Sequence, residues 1–209
     1  MILKCVYIDR ADPSFLTLDP KYQAGFVAGD ELRAYAAQPD YDLPETFLRR
    51  ALAVDDECFA IRHGDVLAAY GWYSTSANHF SDELTLHFSP RWAYMYRGFT
   101  HPAYRGQRLH AIGMTMALEA YRKRGFDGLV SCVEVHNDAS LKSCYRMGYH
   151  DFGTIYGLRL GRLLGVRHPK SRFLNRQLIY CTPGCAQFGF WLERTGMIET
   201  SGTVQPLKV

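Results

Sequence analysis

The segment Tyr104-Arg105-Gly106-Gln107-Arg108 is where residue types and spacing in this sequence first suggest chemistry. It reads as a polar, glycine-containing turn between a strand that ends at His101-Pro102 and a helix that opens near Leu109. The start of a helix leaves backbone N–H groups without intrahelical partners. Those groups, with the helix dipole, favour an anion such as a pyrophosphate. Arg105 and Arg108 add formal positive charge at the same spot. The plain alternative is an ordinary strand–turn–helix joint carrying two solvated arginines. Other constellations carry less. Cys181 and Cys185 stand beside a Thr-Pro-Gly loop without the second Cys/His pair of a structural zinc site, so no metal is expected. There is no G-x-S-x-G elbow, no P-loop and no dinucleotide fingerprint. Trp92, Tyr94 and Tyr96 alternate along a strand and share one face of it, either against the core or as an aromatic wall for a substrate.

Such a turn has to be positioned by a strand before it and a long helix after it. Leu109, Ile112, Met116 and Ala120 mark one face of that helix, and Arg122-Lys123-Arg124-Gly125 ends it with bases in the last turn and a glycine beyond. Leu129 to Val135 is an apolar strand. Asn137 caps a short helix from Asp138 to Met147, which Gly148 stops. Tyr149 to Leu164 returns as extended chain. Upstream, residues 45–54 form a helix on Phe47, Leu48, Ala51 and Leu52. Phe59–Ile61 and Val66–Tyr73 read as a hairpin around His63-Gly64-Asp65. Glu83–Phe88 and Trp92–Phe99 read as a second strand pair, and residues 21–37 as a poorly patterned helix. This rhythm predicts an α/β (α+β mixed) layer with at least one parallel strand pair.

Composition narrows the classes. The 209 residues are 47% hydrophobic and 22% charged, which excludes disordered, collagen-like and mucin-like chains. No apolar run reaches the roughly 18 residues of a membrane helix. The start, MILKCVYIDR, does not read as a secretory signal, and six irregularly spaced cysteines fit free thiols, so a cytoplasmic location is expected. The net charge of +3 hides an asymmetry: residues 1–60 carry eleven acids and six bases, residues 151–209 three acids and eight bases. No carboxylate lies between Asp151 and Glu193, where Arg159, Arg162, Arg167, Lys170, Arg172 and Arg176 fall. This stretch is either a solvated edge or a surface facing an anion, an acidic carrier protein among them. The bases do not interleave with aromatics as in single-strand binders, so no nucleic acid is expected.

Phe99-Thr-His-Pro-Ala-Tyr-Arg-Gly-Gln-Arg-Leu-His110 resembles the acyl-CoA-binding segment of the GNAT (general N-acetyltransferase) superfamily. There a strand leads through a proline into an Arg/Gln-x-x-Gly-x-Gly/Ala loop that opens the central helix. Asn137-Asp-Ala-Ser-Leu-Lys-Ser-Cys-Tyr-Arg-Met-Gly-Tyr149 resembles the superfamily's second signal, and Asn137 follows Arg105 by 32 residues. The resemblance covers roughly residues 59–158. It implies a GNAT-like twisted mixed sheet with helices on both faces, in one domain over 1–165 with 166–209 as a C-terminal extension packed on it. Two loop positions depart from the pattern: the glycine is Arg108, and the final Gly/Ala is His110.

What the resemblance implies is an N-acyltransferase moving an acyl group, acetyl by default, from acyl-CoA to the amine of a small molecule. The alternatives are a long-chain enzyme fed by acyl-CoA or an acyl carrier protein thioester, and a non-catalytic acyl-CoA-binding module. A homodimer is left open. The cofactor would lie on the backbone of Arg105, Gly106, Gln107, Arg108, Leu109 and His110, along Phe99 and Thr100, and against Asn137 and Ser140. The thioester would sit in a split between the strand ending at Thr100 and the strand ending at Val135. An alkyl amine near pKa 10.4 is mostly protonated at pH 7, and neutralising it costs about 4–5 kcal/mol, so a base is expected. Trp92 to Thr100 holds no carboxylate, and the nearest are Asp82 and Glu83. Glu134 is the preferred base and His136 the second choice. The superfamily's frequent acid is a tyrosine four residues before the second motif's glycine. Here that position is Cys144, with Tyr145 next to it, so either could serve, or no acid is used.

Overall fold

The structure is a computed structural model that describes residues 1–81, 83–159 and 177–195. In chain order the strands are β1 (Ile2–Ile8), β2 (Gln23–Val27), β3 (Glu57–His63), β4 (Val66–Ser74), β5 (Asn78–Ser81), β6 (Leu84–His87), β7 (Trp92–Thr100), β8 (Gly128–Glu134), β9 (His150–Arg159), β10 (Gln177–Cys181) and β11 (Trp191–Arg194). The helices are α1 (Gly29–Ala36), α2 (Glu45–Ala53), α3 (Leu109–Lys123), α4 (Asp138–Arg146) and α5 (Pro183–Gln187). Eight strands join in the order β10-β9-β1-β8-β7-β4-β3-β2, and β11-β6-β5 make a second, three-stranded sheet. Within the large sheet β7 and β8 run parallel and the other pairs antiparallel.

Period-2 alternation sets the layers. From β1, Val6 and Ile8 face a cluster with Met114, Ala117, Leu118 and Tyr121 of α3 and Cys144 of α4. Leu3 and Cys5 face the other way, onto Leu84, Leu86, Phe190 and Leu192 of the small sheet and its approach. On that second face, α1 and α2 cover β3 and β4 through Leu32, Leu48, Ala60, Leu67 and Trp72. The mixed sheet therefore carries helices on both faces.

The hairpin expected around Gly64 forms as β3 and β4, with Gly64 at φ +57. The expected end of α3 is present, with Arg122 and Lys123 in the last turn and Gly125 at φ +95. Its most buried face runs through Met114, Ala117, Leu118 and Tyr121, while Ile112, Met116 and Ala120 form its half-buried flank. Two expectations change. Residues 21–37 divide into β2 and α1, because Gln23–Val27 pairs along β3 from Arg62 to Cys58. The strands at 84–87 and 92–100 do not pair with each other: β6 lies between β5 and β11, and β7 between β4 and β8. Ser89-Pro90 carries the chain from one sheet to the other. The extended chain expected to Leu164 is β9 as far as Arg159. Residues 160–164, and Arg162, Arg167, Lys170, Arg172 and Arg176 of the basic stretch, lie outside the described residues, as does Asp82.

Candidate active site

The site begins with a defect in the sheet. In the β4–β7 ladder Trp72 is paired with Arg97 and Tyr73 with Met95, which leaves Tyr96 as an extra residue, a β-bulge. A bulge bends its strand and increases the local twist. On its other side β7 pairs with β8 only at Trp92, Ala93 and Tyr94, opposite Gly128, Leu129 and Val130. Beyond Tyr94 the two parallel strands part, and the Ser131 hydroxyl bridges them by donating to the Met95 carbonyl at 2.8 Å.

The cleft so opened has a volume of about 490 Å³. One wall is Met95, Tyr96, Arg97 and Gly98 of β7, and the opposite wall is Ser131 to Glu134 of β8. His110 and Met114 of α3 and Asn137, Ser140 and Cys144 on α4 complete it. Asp42 closes one side, held at φ +50. Its carboxylate pairs with Arg97 at 2.8 Å, and its carbonyl accepts from Arg97 at 2.8 Å and from the Tyr70 hydroxyl at 3.1 Å.

The turn before α3 has the geometry expected of an anion cradle. Gly106 and Arg108 adopt positive φ, +80 and +59, and Arg108 is the N-cap residue without a side-chain cap bond. The first turn of α3 holds no acidic side chain, so its leading N–H groups meet no internal counter-charge. The Tyr22 hydroxyl donates to Gln107 Oε1 at 2.5 Å, and Arg105 Nε donates to the Thr100 carbonyl at 3.4 Å, which pins the turn. Leu109 is buried under Tyr22, Ile61 and Ala69 and anchors the helix start.

Bringing the sequence candidates together, the fold places Glu134, Asn137, Ser140, Cys144 and His110 around one cavity. The Asn137 side chain also caps α4, accepting from the Ser140 N–H at 3.1 Å. Cys144 is buried, and burial pushes its thiol up to about 11, so it is protonated at neutral pH. Phe99 and Thr100 lie beyond the cavity wall: the Phe99 ring stacks on Tyr70, and Thr100 pairs with Ala69. Tyr145 is exposed on the outer side of α4 and its hydroxyl donates to Asp151 at 2.8 Å. Its phenol is pushed up to about 12 by desolvation and by that carboxylate. His136 is exposed past the end of β8, outside the cavity wall.

His110 is the departure with the most physical content. Its ring turns inward over Gly98, where a Cβ would fall 2.3 Å from the ring's Cε1. Burial lowers the imidazole to about 4, so the ring is neutral in the cleft at pH 7. Arg105 and Arg108 therefore carry the positive charge at the start of α3. Sequence reasoning also missed Asp42, whose ion pair with Arg97 across the cleft mouth has no local signature.

The sequence matches the family model described as the acetyltransferase (GNAT) family over residues 25–149. The chain belongs to the GNAT family. A comparison with curated proteins finds no match. Among solved structures, a GCN5-related N-acetyltransferase-like protein from Streptococcus suis is 13% identical, with 74% of this chain and 59% of that one covered and a TM-score of 0.50. An acetyltransferase of the GNAT family from Colwellia psychrerythraea is 14% identical (72% and 52% covered, TM-score 0.48). An aminoglycoside acetyltransferase from an uncultured soil metagenomic sample is 13% identical (63% and 90% covered, TM-score 0.46). The chain thus spans a little over half the length of the Streptococcus and Colwellia proteins. In this GNAT chain, no helix among the described residues is long and apolar enough to cross a membrane.

The residues present fit an acyl-CoA. The α3 N-terminus offers unpartnered amides beside two arginines, the β7 edge past Tyr94 offers main-chain groups without a strand partner, and the cleft between them has room for a slender chain. His110 narrows that cleft without filling it.

Proposed function

We propose that this protein is an N-acyltransferase that moves an acyl group, acetyl by default, from acyl-CoA to the amine of a small molecule. The observation that carries this reading is the parting of β7 and β8 after three residue pairs, with an amide-rich helix start at one side and ionisable residues at the other. Acyl-CoA, when bound, supplies a carbonyl activated by a thiolate leaving group. The α3 N-terminus and Arg105 and Arg108 would hold its phosphates by main-chain donors and charge. The open β7 edge at Met95–Gly98 would pair with its amide-bearing arm and give a donor to the oxygen on which charge develops.

Glu134 stands exposed at the cavity wall and takes the proton that the attacking nitrogen sheds as the new C–N bond forms and the C–S bond breaks. The protonated Cys144 thiol faces the same cavity and is better placed than Tyr145 to return a proton to the departing sulfur. A thiolate is a fair leaving group, so this second role is the smaller one.

The test has two arms. Calorimetric titration with acetyl-CoA, CoA and a C8–C16 acyl-CoA series is expected to show micromolar binding and to fix the chain length. A free-thiol assay with an amine panel is expected to show turnover that Glu134→Gln lowers by about 10²–10⁴ without changing cofactor affinity. Absence of binding at millimolar ligand, or binding with no thiol release from any amine, overturns the reading.

A further inference from the structure

Where the loop pattern of the family carries glycine or alanine, this chain carries an imidazole, His110. The ring lies against β7 because Gly98 leaves the space open: a Cβ there would fall 2.3 Å from Cε1 and 3.0 Å from Nε2. It is half-buried and forms part of the cleft wall, in the cavity that Glu134 and Cys144 also line. It borders as well a smaller cavity of about 120 Å³, lined by Arg108, Ser143 and Arg146 among others. Among the described residues no group hydrogen-bonds the ring. Burial lowers the imidazole to about 4, which makes it a poor base at neutral pH but leaves it one N–H to donate and one bare nitrogen. A polar group held partly away from water without a partner is costly, and a ligand atom that pairs with it recovers that cost.

A neutral imidazole can polarise a carbonyl without bringing a charge of its own. For Glu134 to receive the proton of the attacking amine, the carbonyl under attack has to lie in the cavity that Glu134 and the His110 ring share. We infer that His110 is a further catalytic residue, whose ring N–H donates to the carbonyl oxygen of the acyl thioester as charge develops there. While the C–N bond forms, the π electron pair of the carbonyl rests on that oxygen, and His110 stabilises it by a hydrogen bond and keeps its own proton. The pair returns as the C–S bond breaks, the thiolate leaves with the C–S electrons, and Glu134 holds the proton of the amine. The inference rests on the amine-acyltransferase reading and adds a side-chain donor to the main-chain donor of β7.

Calorimetry of the whole protein with acetyl-CoA and with CoA, in the absence of amine, reads the contact without turnover. The wild type is expected to bind acetyl-CoA about fivefold more tightly than CoA, the size of one hydrogen bond. His110→Ala restores the residue of the loop pattern, and is expected to abolish that difference while CoA affinity stays unchanged. The ring nitrogen resonances of His110 are expected to shift with acetyl-CoA and not with CoA. In the thiol-release assay H110A is expected to lower kcat about 10²-fold, as the loss of one oxyanion donor does. His110→Gln keeps an N–H donor near the place of Nε2 and is expected to recover most of that loss, which a merely structural role of the ring would not produce. Thiol release by H110A at the wild-type kcat overturns the donor role and leaves acyl transfer standing. So does an H110A that weakens CoA and acetyl-CoA alike with kcat unchanged, which makes the ring a contact for the cofactor arm alone. A wild type that binds neither thioester nor CoA sinks the transfer reading and this inference with it. A His110-dependent preference for acetyl-CoA with no thiol release from any amine sinks the transfer reading and the catalytic role, and leaves a thioester-binding side chain.

Discussion

Gly98→Ala isolates the contact that most distinguishes this site. Gly98 faces Gly71 across the β4–β7 ladder and lies under the His110 ring. An added methyl would meet His110 Cε1 at 2.3 Å, His110 Nε2 at 3.0 Å and Met95 Cε at 3.0 Å. The methionine end yields readily; the imidazole is rigid and has to swing toward the cleft. Overpacking of this kind costs about 1–3 kcal/mol. For a chain of this size that lowers the melting temperature by about 2–4 °C per kcal/mol. In a His110→Ala background the obstruction is gone, and alanine in a strand loses less conformational entropy than glycine by about 0.5–1 kcal/mol. There G98A is expected to be neutral or slightly stabilising. Urea unfolding of the four proteins in the double-mutant cycle measures the coupling, expected at 1 kcal/mol or more, well above the ~0.3–0.5 kcal/mol of independent sites. A G98A cost that is the same in both backgrounds refutes the inward placement of His110.

Three further outcomes follow from the same geometry. Burial lowers His110 from 6.5 to about 4, so between those pH values the unfolded chain binds a proton that the folded one refuses. Its contribution is complete above about pH 6.5 and erodes as pH falls toward 4, by up to about 3 kcal/mol at about 1.4 kcal/mol per pH unit. Denaturant titrations at pH 7 and 4.5 should show a smaller acid loss in His110→Gln than in the wild type, and equal losses would exclude this origin. Asn137→Ala removes the cap accepted from Ser140 and should cost about 1 kcal/mol by thermal denaturation, with Asn137→Asp restoring it. Gly128→Ala puts a Cβ 2.2 Å from the Ile8 carbonyl oxygen, a backbone atom that cannot step aside, so circular dichroism should show a lost or strongly destabilised fold; a wild-type melting curve would contradict the β1–β8 packing.

What was readable in the sequence was local. The α3 start after Tyr104–Arg108, its basic end at Gly125, the Asn137 cap and the Gly64 hairpin each depend on neighbours within a few residues, and each is where it was expected. The second strand pair failed because β6 and β7 find their partners in β5, β11, β4 and β8, and β11 lies about a hundred residues downstream. The helix read over 21–37 held only for α1, because β2 is an edge strand with little alternation, defined by its ladder to β3. Of the cleft residues, His110, Glu134, Asn137, Ser140 and Cys144 were legible through the GNAT resemblance, but not Asp42, nor which way His110 and Tyr145 turn; adjacent chain decides none of these. Asp56, between Asp55 and Glu57, was not singled out from the sequence. Only Asn78 and Tyr96, brought in by two other strands, make it a buried carboxylate.

The three-stranded sheet has a consequence for how the chain is made. β6 waits for β11, and the pairing brings together residues as far apart as Thr85 and Thr195, 110 positions along the chain. As a ribosome delivers the polypeptide, β1 to β9 emerge first, with the apolar side chains of Leu84, Leu86 and Val130 lacking the cover that Phe190 and Leu192 later provide. Until then β6 is an unpaired strand edge with an apolar face, the kind of surface that recruits chaperones or other nascent chains. Among the described residues β11 is therefore a late molecular latch, and a chain cut just before it would keep α3 and α4 but leave the β6 edge open and prone to aggregate.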